Sequence, residues 1–133
     1  MAVDGLTTLR SGNDLAQTVA RLVAEVEARG MRVFARIDHA AGAVEAGLPL
    51  RPTTLVIFGA AKGGTPLMQA AQTIGIDLPL KALAWQDASG DTWLSYNDPS
   101  WLAKRHGLGR KASSSVEAMA AALDAVARTA TSS

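Results

Sequence analysis

The sequence has no cysteine, which excludes a disulfide framework, a thiolate nucleophile and the cysteine-rich kinds of zinc site. It has two histidines, His39 and His106, and neither has a second histidine at metal-ligand spacing, so no metal is expected. No apolar stretch approaches the roughly 20 residues of a membrane-spanning helix, and no membrane association is expected. The first five residues, Met1 to Gly5, carry neither a basic start nor the apolar run of a secretory signal, so the expected location is cytoplasmic. Charge of one sign is also missing. Thirteen Lys and Arg stand against twelve Asp and Glu, mixed along the chain, which leaves no electrostatic footprint for nucleic acid. Phosphate-loop, dinucleotide and nucleophile-elbow motifs are absent, so the cofactor is left unknown and enzyme status has no strong motif behind it.

What is present suits a globular domain. The 133 residues are 48% apolar and 19% charged, enough to close one core without staples. A single domain over 1–133 is expected, ordered over about 3–128, with a frayed tail at 129–133.

Leu15, Val19, Leu22, Val23 and Val26 fall on one helical stripe, which predicts a helix from about Gly12 to Arg29. Ser11 or Asn13 would cap it, and Gly30 would end it. Leu6 to Leu9 reads as a weak strand before it. After it, Met31, Val33, Ala35 and Ile37 alternate with Arg32, Phe34, Arg36 and Asp38, the pattern of a strand with one buried face. His39 to Gly47 can form a short helix. Thr53 to Phe58 is apolar on both sides and β-branched, as an inner strand should be.

Thr65-Pro66 reads as an N-cap with proline at the first helical position, predicting a helix of about ten residues that ends before Gly75. Leu78 to Gln86 and Thr92 to Asn97 are strand-like and joined by the turn-rich Asp87 to Asp91, so they should pair antiparallel. Asp98-Pro99 opens a short helix that Gly107 closes, and Ser114-x-x-Glu117 reads as a capping box before a last long helix. The resulting fold class is α+β: a two-layer α/β domain, its sheet mixed but mostly antiparallel, with two long helices on one face.

Three places can carry chemistry. Phe58 to Pro66 leads from a strand through a glycine-rich turn toward a helix start, where Lys62 and the amides around Gly63, Gly64 and Thr65 can bind an anion. Its structural alternative is a tight connection in which the glycines permit positive φ. Asp38-His39 sets an acid and an imidazole at a strand end, a weak candidate for acid–base catalysis; the alternative is a local cap for the following helix. Asp38, Glu45, Asp77 or Asp98 could join a histidine only through the fold. Trp85, Trp93, Tyr96 and Trp101 account for all but two of the aromatic residues, consistent with cross-strand packing, a ligand platform or a subunit interface. Asn97, at a strand end, completes the candidate ligand-binding set with Lys62, Gly63, Gly64 and Thr65.

Several ordered motifs point to one family. They are Val33-Phe34-Ala35-Arg36-Ile37-Asp38-His39-Ala40-Ala41-Gly42-Ala43, Leu50-Arg51-Pro52-Thr53-Thr54, Ile57-Phe58-Gly59, Lys62 with Gly64-Thr65-Pro66-Leu67-Met68, Leu78-Pro79-Leu80-Lys81, and Trp93 through Pro99. Over about residues 3–130 the chain resembles the domain-of-unknown-function family numbered 302. The resemblance implies a bacterial or archaeal α/β domain, commonly homodimeric, with no activity to inherit. Ala60-Ala61 departs from the small polar residue and proline of the family's loop. The functional expectation is a homodimeric binding module for a small anionic or polar ligand at Lys62–Thr65. The alternatives are a small-substrate enzyme using Asp38 and His39, or a structural dimer without ligand.

Overall fold

The computed structural model describes residues 2–133. Five strands, β1 (Leu6–Arg10), β2 (Arg32–Asp38), β3 (Thr53–Gly59), β4 (Leu80–Gln86) and β5 (Thr92–Asn97), form one sheet in the order β1-β5-β4-β3-β2. Every neighbouring pair is antiparallel, so the sheet has none of the parallel pairing that a mixed sheet allows. The long helices α1 (Leu15–Ala28) and α5 (Ser113–Thr131) lie side by side over one face. Val19, Leu22 and Val26 of α1 and Leu123, Val126 and Ala130 of α5 bury against Val56, Phe58, Ala82, Ala84 and Leu94 of the inner strands. This is the two-layer α+β arrangement the periodicities imply.

Three short helices fill the connections. They are α2 (His39–Glu45), α3 (Ala61–Ala70) and α4 (Pro99–Arg105), with a 3-10 turn at Gln72–Asp77 after α3. A second apolar cluster of Leu67, Ile74, Leu102, Leu108 and Val116 joins α3, the 3-10 turn, α4 and the start of α5.

Helix ends differ from the sequence reading in instructive ways. The cap of α1 is Asp14, whose carboxylate accepts from the Gln17 amide at 2.7 Å, in place of Ser11 or Asn13. The Ser11 hydroxyl instead meets that of buried Thr18 at 2.6 Å, satisfying two polar groups inside the core. At the other end Gly30, at φ +77°, donates to Glu27 while Met31 donates to Val26, the paired bonds that close a helix on a left-handed glycine. Thr65 is not a cap: α3 begins four residues earlier, and Pro66 lies inside it. The expected capping box at Ser114 and Glu117 is also absent, because the N-cap lies two residues sooner, at Ala112 in a left-handed conformation. The same helix runs on to Thr131, with Ala130 and Thr131 buried, where fraying from 129 was expected.

A bulge changes the reading of β2. Val33 pairs with Phe58, but Ala35 pairs with Ile57 and Ile37 with Leu55, so the register shifts at Phe34. Directly paired residues share a face, and Phe58 and Ile57 face opposite ways. Val33 therefore faces the helices, whereas Ala35 and Ile37 face away, and the single buried face expected for this strand does not exist. One of the two outer strands, β2 carries that bulge together with Arg32, Arg36 and Asp38, features that discourage further edge pairing.

The β4–β5 hairpin is fastened at its turn by Asp87. Its carboxylate accepts from the Trp93 indole N–H at 2.8 Å and from the amides of Ser89 and Asp91 at 2.9 and 3.0 Å. Those bonds, the indole's foremost, hold its pKa below the usual carboxylate value. A depressed folded-state pKa stabilises fully above the unfolded value of about 3.9, and that contribution is lost as pH falls through the lower folded value. Asp87→Asn is accordingly expected to lower Tm at pH 7 and to weaken its decline below about pH 4, measured by circular dichroism across pH. An unchanged acid profile would remove Asp87 from the acid response.

Candidate functional site

The Lys62 segment forms the mouth of a cavity of about 590 Å³ between the two apolar clusters, on the helix-covered side of the sheet. One wall is the chain from Gly59 to Gly64. Opposite it, Ser115, Ala118, Met119 and Ala122 present one stripe of α5, and Met31, Phe34, Met68, Leu78 and Leu80 supply the remaining apolar wall. Leu78 and Met119 pack against both clusters, so the cavity lies along their seam. Among the described residues, Lys62 and Ser115 are the only lining side chains that carry nitrogen or oxygen.

Local sequence explains why space is left here. Gly59, Ala60, Ala61, Gly63, Gly64, Gly75, Ala118 and Ala122 contribute little or no side-chain volume to the lining. Gly63 and Gly64 do not take positive φ, so neither serves the tight turn that was their structural alternative. Their amides both donate to the Ala60 carbonyl, which leaves those of Ala61 and Lys62 as the ones the first turn can offer a ligand. The Lys62 ammonium has neither an ion pair nor a hydrogen bond among the described residues. Pro66 lacks the N–H that would bond the Lys62 carbonyl within α3. Two glycines, a threonine and that proline make this first stretch of helix intrinsically weak.

The other expected site residues lie elsewhere. Asp38 and His39 stand at the far end of the β2–β3 pair, where Asp38 is opposite Thr54, whereas Lys62 follows Gly59. At about 3.3 Å per residue the strand between Thr54 and Gly59 separates them by roughly 17 Å. Asp38 Oδ1 accepts from the Ala41 amide at 2.9 Å and caps α2, and His39 is exposed. Asn97 is on the opposite face of the sheet, in a groove of about 290 Å³ with Leu6, Leu55, Lys81, Leu83 and Trp85. Thr65 is exposed and outside the lining. The structure thus brings Lys62, Gly63 and Gly64 to one cavity and leaves Asp38, His39, Thr65 and Asn97 out of it.

A polar cluster that the sequence could not assemble ties the 3-10 turn to α4. Asp77 Oδ2 lies 2.5 Å from His106 Nε2, and both Asp77 oxygens accept from Arg105 Nη1 at 2.9 Å. The Thr73 hydroxyl meets His106 Nδ1 at 2.9 Å. Asp77 is thus the acid that joins a histidine, and the Arg105 guanidinium in the last turn of α4 pairs with the same carboxylate. Nearby, Lys81 Nζ donates to the Asp77 and Pro79 carbonyls; partial burial lowers its pKa, with Asp77 opposing the shift. Among the described residues no three His, Asp or Glu side chains gather as metal ligands.

The uncovered sheet face is the second feature. Leu6, Ala35, Ile37, Leu55, Ile57, Leu83, Trp85 and Trp93 point to it by register, and Trp85 stacks on Trp93 with ring centres 6.1 Å apart and planes at 23°. Trp85 Nε1 donates to Ser95 Oγ at 2.9 Å, which fixes the pair in place.

These observations define an α+β domain with a five-stranded antiparallel sheet, two long helices on one face and an apolar cavity at the sheet's end. The chain belongs to the family described as Domain of unknown function DUF302, whose model matches residues 7–126. The crystal structure of an uncharacterized conserved DUF302 protein from Bacillus stearothermophilus has the same fold, with a TM-score of 0.82 at 17% identity, covering 96% of this chain and 99% of that one. The chain is also 53% identical over 115 residues, 86% of its length, to proteins named fluoride-specific ion channel FluC 1 in Brucella suis biovar 1 (strain 1330) and Brucella abortus biovar 1 (strain 9-941). It spans 45% and 43% of those curated relatives, just under half of each. No helix of the described residues is long and apolar enough to cross a membrane.

Proposed function

We propose that this domain is a homodimeric binding module that takes a small ligand in the cavity behind Lys62, with an anionic group of the ligand at the lysine. The observation that carries this reading is the cavity itself. Its volume falls in the range of roughly 300–1,000 Å³ typical of small-molecule sites, and an unpartnered cation stands at its mouth.

The test is a thermal-shift screen of phosphate, sulfate, nucleotides and small carboxylates on the wild type and Lys62→Met. A ligand specific to the folded state at about 100 times its Kd adds about 2.7 kcal/mol of stability. Lys62→Met should unfold at nearly the wild-type Tm without ligand, because an exposed lysine contributes within about 0.5 kcal/mol, but should lose roughly 1.5–3 kcal/mol of affinity. Stabilisation undiminished in the variant would remove Lys62 from the site. No stabilisation by any compound would favour a structural dimer.

The dimer is assigned to the open sheet face, since half-buried aliphatic side chains around two stacked tryptophans form the surface most in need of cover. Light scattering at micromolar concentration should give twice 13.8 kDa for the wild type and 13.8 kDa for Leu55→Arg, with the circular dichroism spectrum retained. A monomeric wild type would defeat the assignment.

A further inference from the structure

We infer that the ligand is a single-chain amphiphile, a flexible hydrocarbon body inside the cavity with one anionic head at Lys62. This rests on the ligand-binding reading above and names the chemical class. The lining decides the body. With Lys62 and Ser115 its only polar side chains among the described residues, beside the Ala61 and Lys62 amides, the cavity offers the many hydroxyls of a sugar, nucleotide or polyol too few partners to replace the water they would leave. A hydrocarbon chain sheds water with gain at every methylene, about fourfold in affinity for each one buried.

The kind of apolar wall sharpens this. Met31, Met68 and Met119, three of the chain's four methionines, all line it, and they come from three separate segments of the chain. Methionine is unbranched and polarizable, so such walls re-pack around bodies of varying shape and suit a pliable chain better than a rigid ring. Between them, Ala118 and Ala122 leave the floor open along α5.

The head is set by charge. Among the described residues no aspartate or glutamate lines the cavity, and the one ionisable side chain in its lining is Lys62, which has no partner there. An anionic head gains there, a cationic head is repelled, and a neutral head loses the charge-assisted bond. Sulfonate, phosphate and carboxylate heads share this chemistry.

The experiment is calorimetric titration of octanoate, decanoate and dodecanoate, each below its micelle concentration, beside decanol and decyltrimethylammonium, on the intact chain, Lys62→Met and Ala122→Phe. Affinity should rise about fourfold per added methylene until the cavity is full. Decanoate should bind roughly tenfold or more tightly than decanol, a difference that disappears in Lys62→Met. Ala122→Phe should abolish binding by filling the space, with Ala118→Leu as the second filling variant should the first fail to fold. Equal binding of decanoate, decanol and the ammonium would overturn the anionic head. Binding that survives both filling variants would overturn the location. A nucleotide or phosphate that the filling variants exclude, with no decanoate bound, would overturn the amphiphile and leave the binding module standing; no ligand of any kind would overturn both.

Discussion

Phe58→Ala is expected to destabilise the domain by about 3–5 kcal/mol, read as a lowered midpoint in urea with an unchanged slope. Phe58 is fully buried near the end of β3, paired with Val33 on one side and Leu80 on the other, beneath the two long helices. Removing the ring opens space between β3 and the two long helices, so a cavity term adds to the lost transfer energy. Against a typical stability of about 5–15 kcal/mol this is roughly a fifth of the total or more. Phe34 supplies the control. It is the only other phenylalanine, sits on the bulge at 49% exposure, and has Arg32 stacked over its ring at 5.4 Å. Phe34→Ala should therefore cost no more than about 1 kcal/mol. Equal losses for the two variants would show that burial in this core is not what decides stability.

The second large effect is expected at Gly5. Its φ is +74°, and a Cβ built there would lie 2.3 Å from Cδ2 and 2.4 Å from Cγ of Trp101. Alanine at this position meets two penalties together. The left-handed backbone costs roughly 1–2 kcal/mol, and forcing the indole away costs about 1–3 kcal/mol more. The overlapped atoms, Cγ and Cδ2, are at the base of the indole and move only with the ring as a whole, and the Gly5 carbonyl accepts from the Asp98 amide at 2.8 Å where α4 begins. Gly5→Ala should lower Tm by roughly 10 °C or more. Combining it with Trp101→Ala separates the causes: the double variant should be less destabilised than the sum of the singles, since the overlap is gone while the backbone strain stays. Strict additivity would locate the whole effect in the backbone.

How much of this was legible follows from the range of the interactions concerned. The stripe of Leu15, Val19, Leu22 and Val26, the left-handed Gly30 and the hairpin around Asp87 to Asp91 are decided within a few residues, and they stand where the sequence puts them. Helix starts were less legible, because capping is a competition. Ser11 could cap α1, but its hydroxyl gains more from buried Thr18, and Asp14 takes the role. At α3 the cap-and-proline pattern of Thr65-Pro66 was overridden, and the helix begins over Ala61 against the preference of its own glycines. The bulge at Phe34 was invisible for a related reason, since a register shift is a property of two strands and not of one.

The candidate site divides in the same way. Lys62, Gly63 and Gly64 stand out because the signal is contiguous, and they line the cavity. Its remaining walls come from Met31, Leu78 and Met119, far apart in the chain, and nothing in their spacing announces a common surface. Asp77 and His106 are likewise 29 positions apart, and the 2.5 Å between them exists only because α4 folds back on the 3-10 turn. By itself the sequence determined the element types, the two-layer class and the family, because short-range periodicity, turn chemistry and ordered motifs are written in neighbouring residues. Only the tertiary structure decided the strand order, the split of Lys62 from Asp38, His39 and Asn97, and the cavity, because each depends on which surfaces meet when distant segments pack.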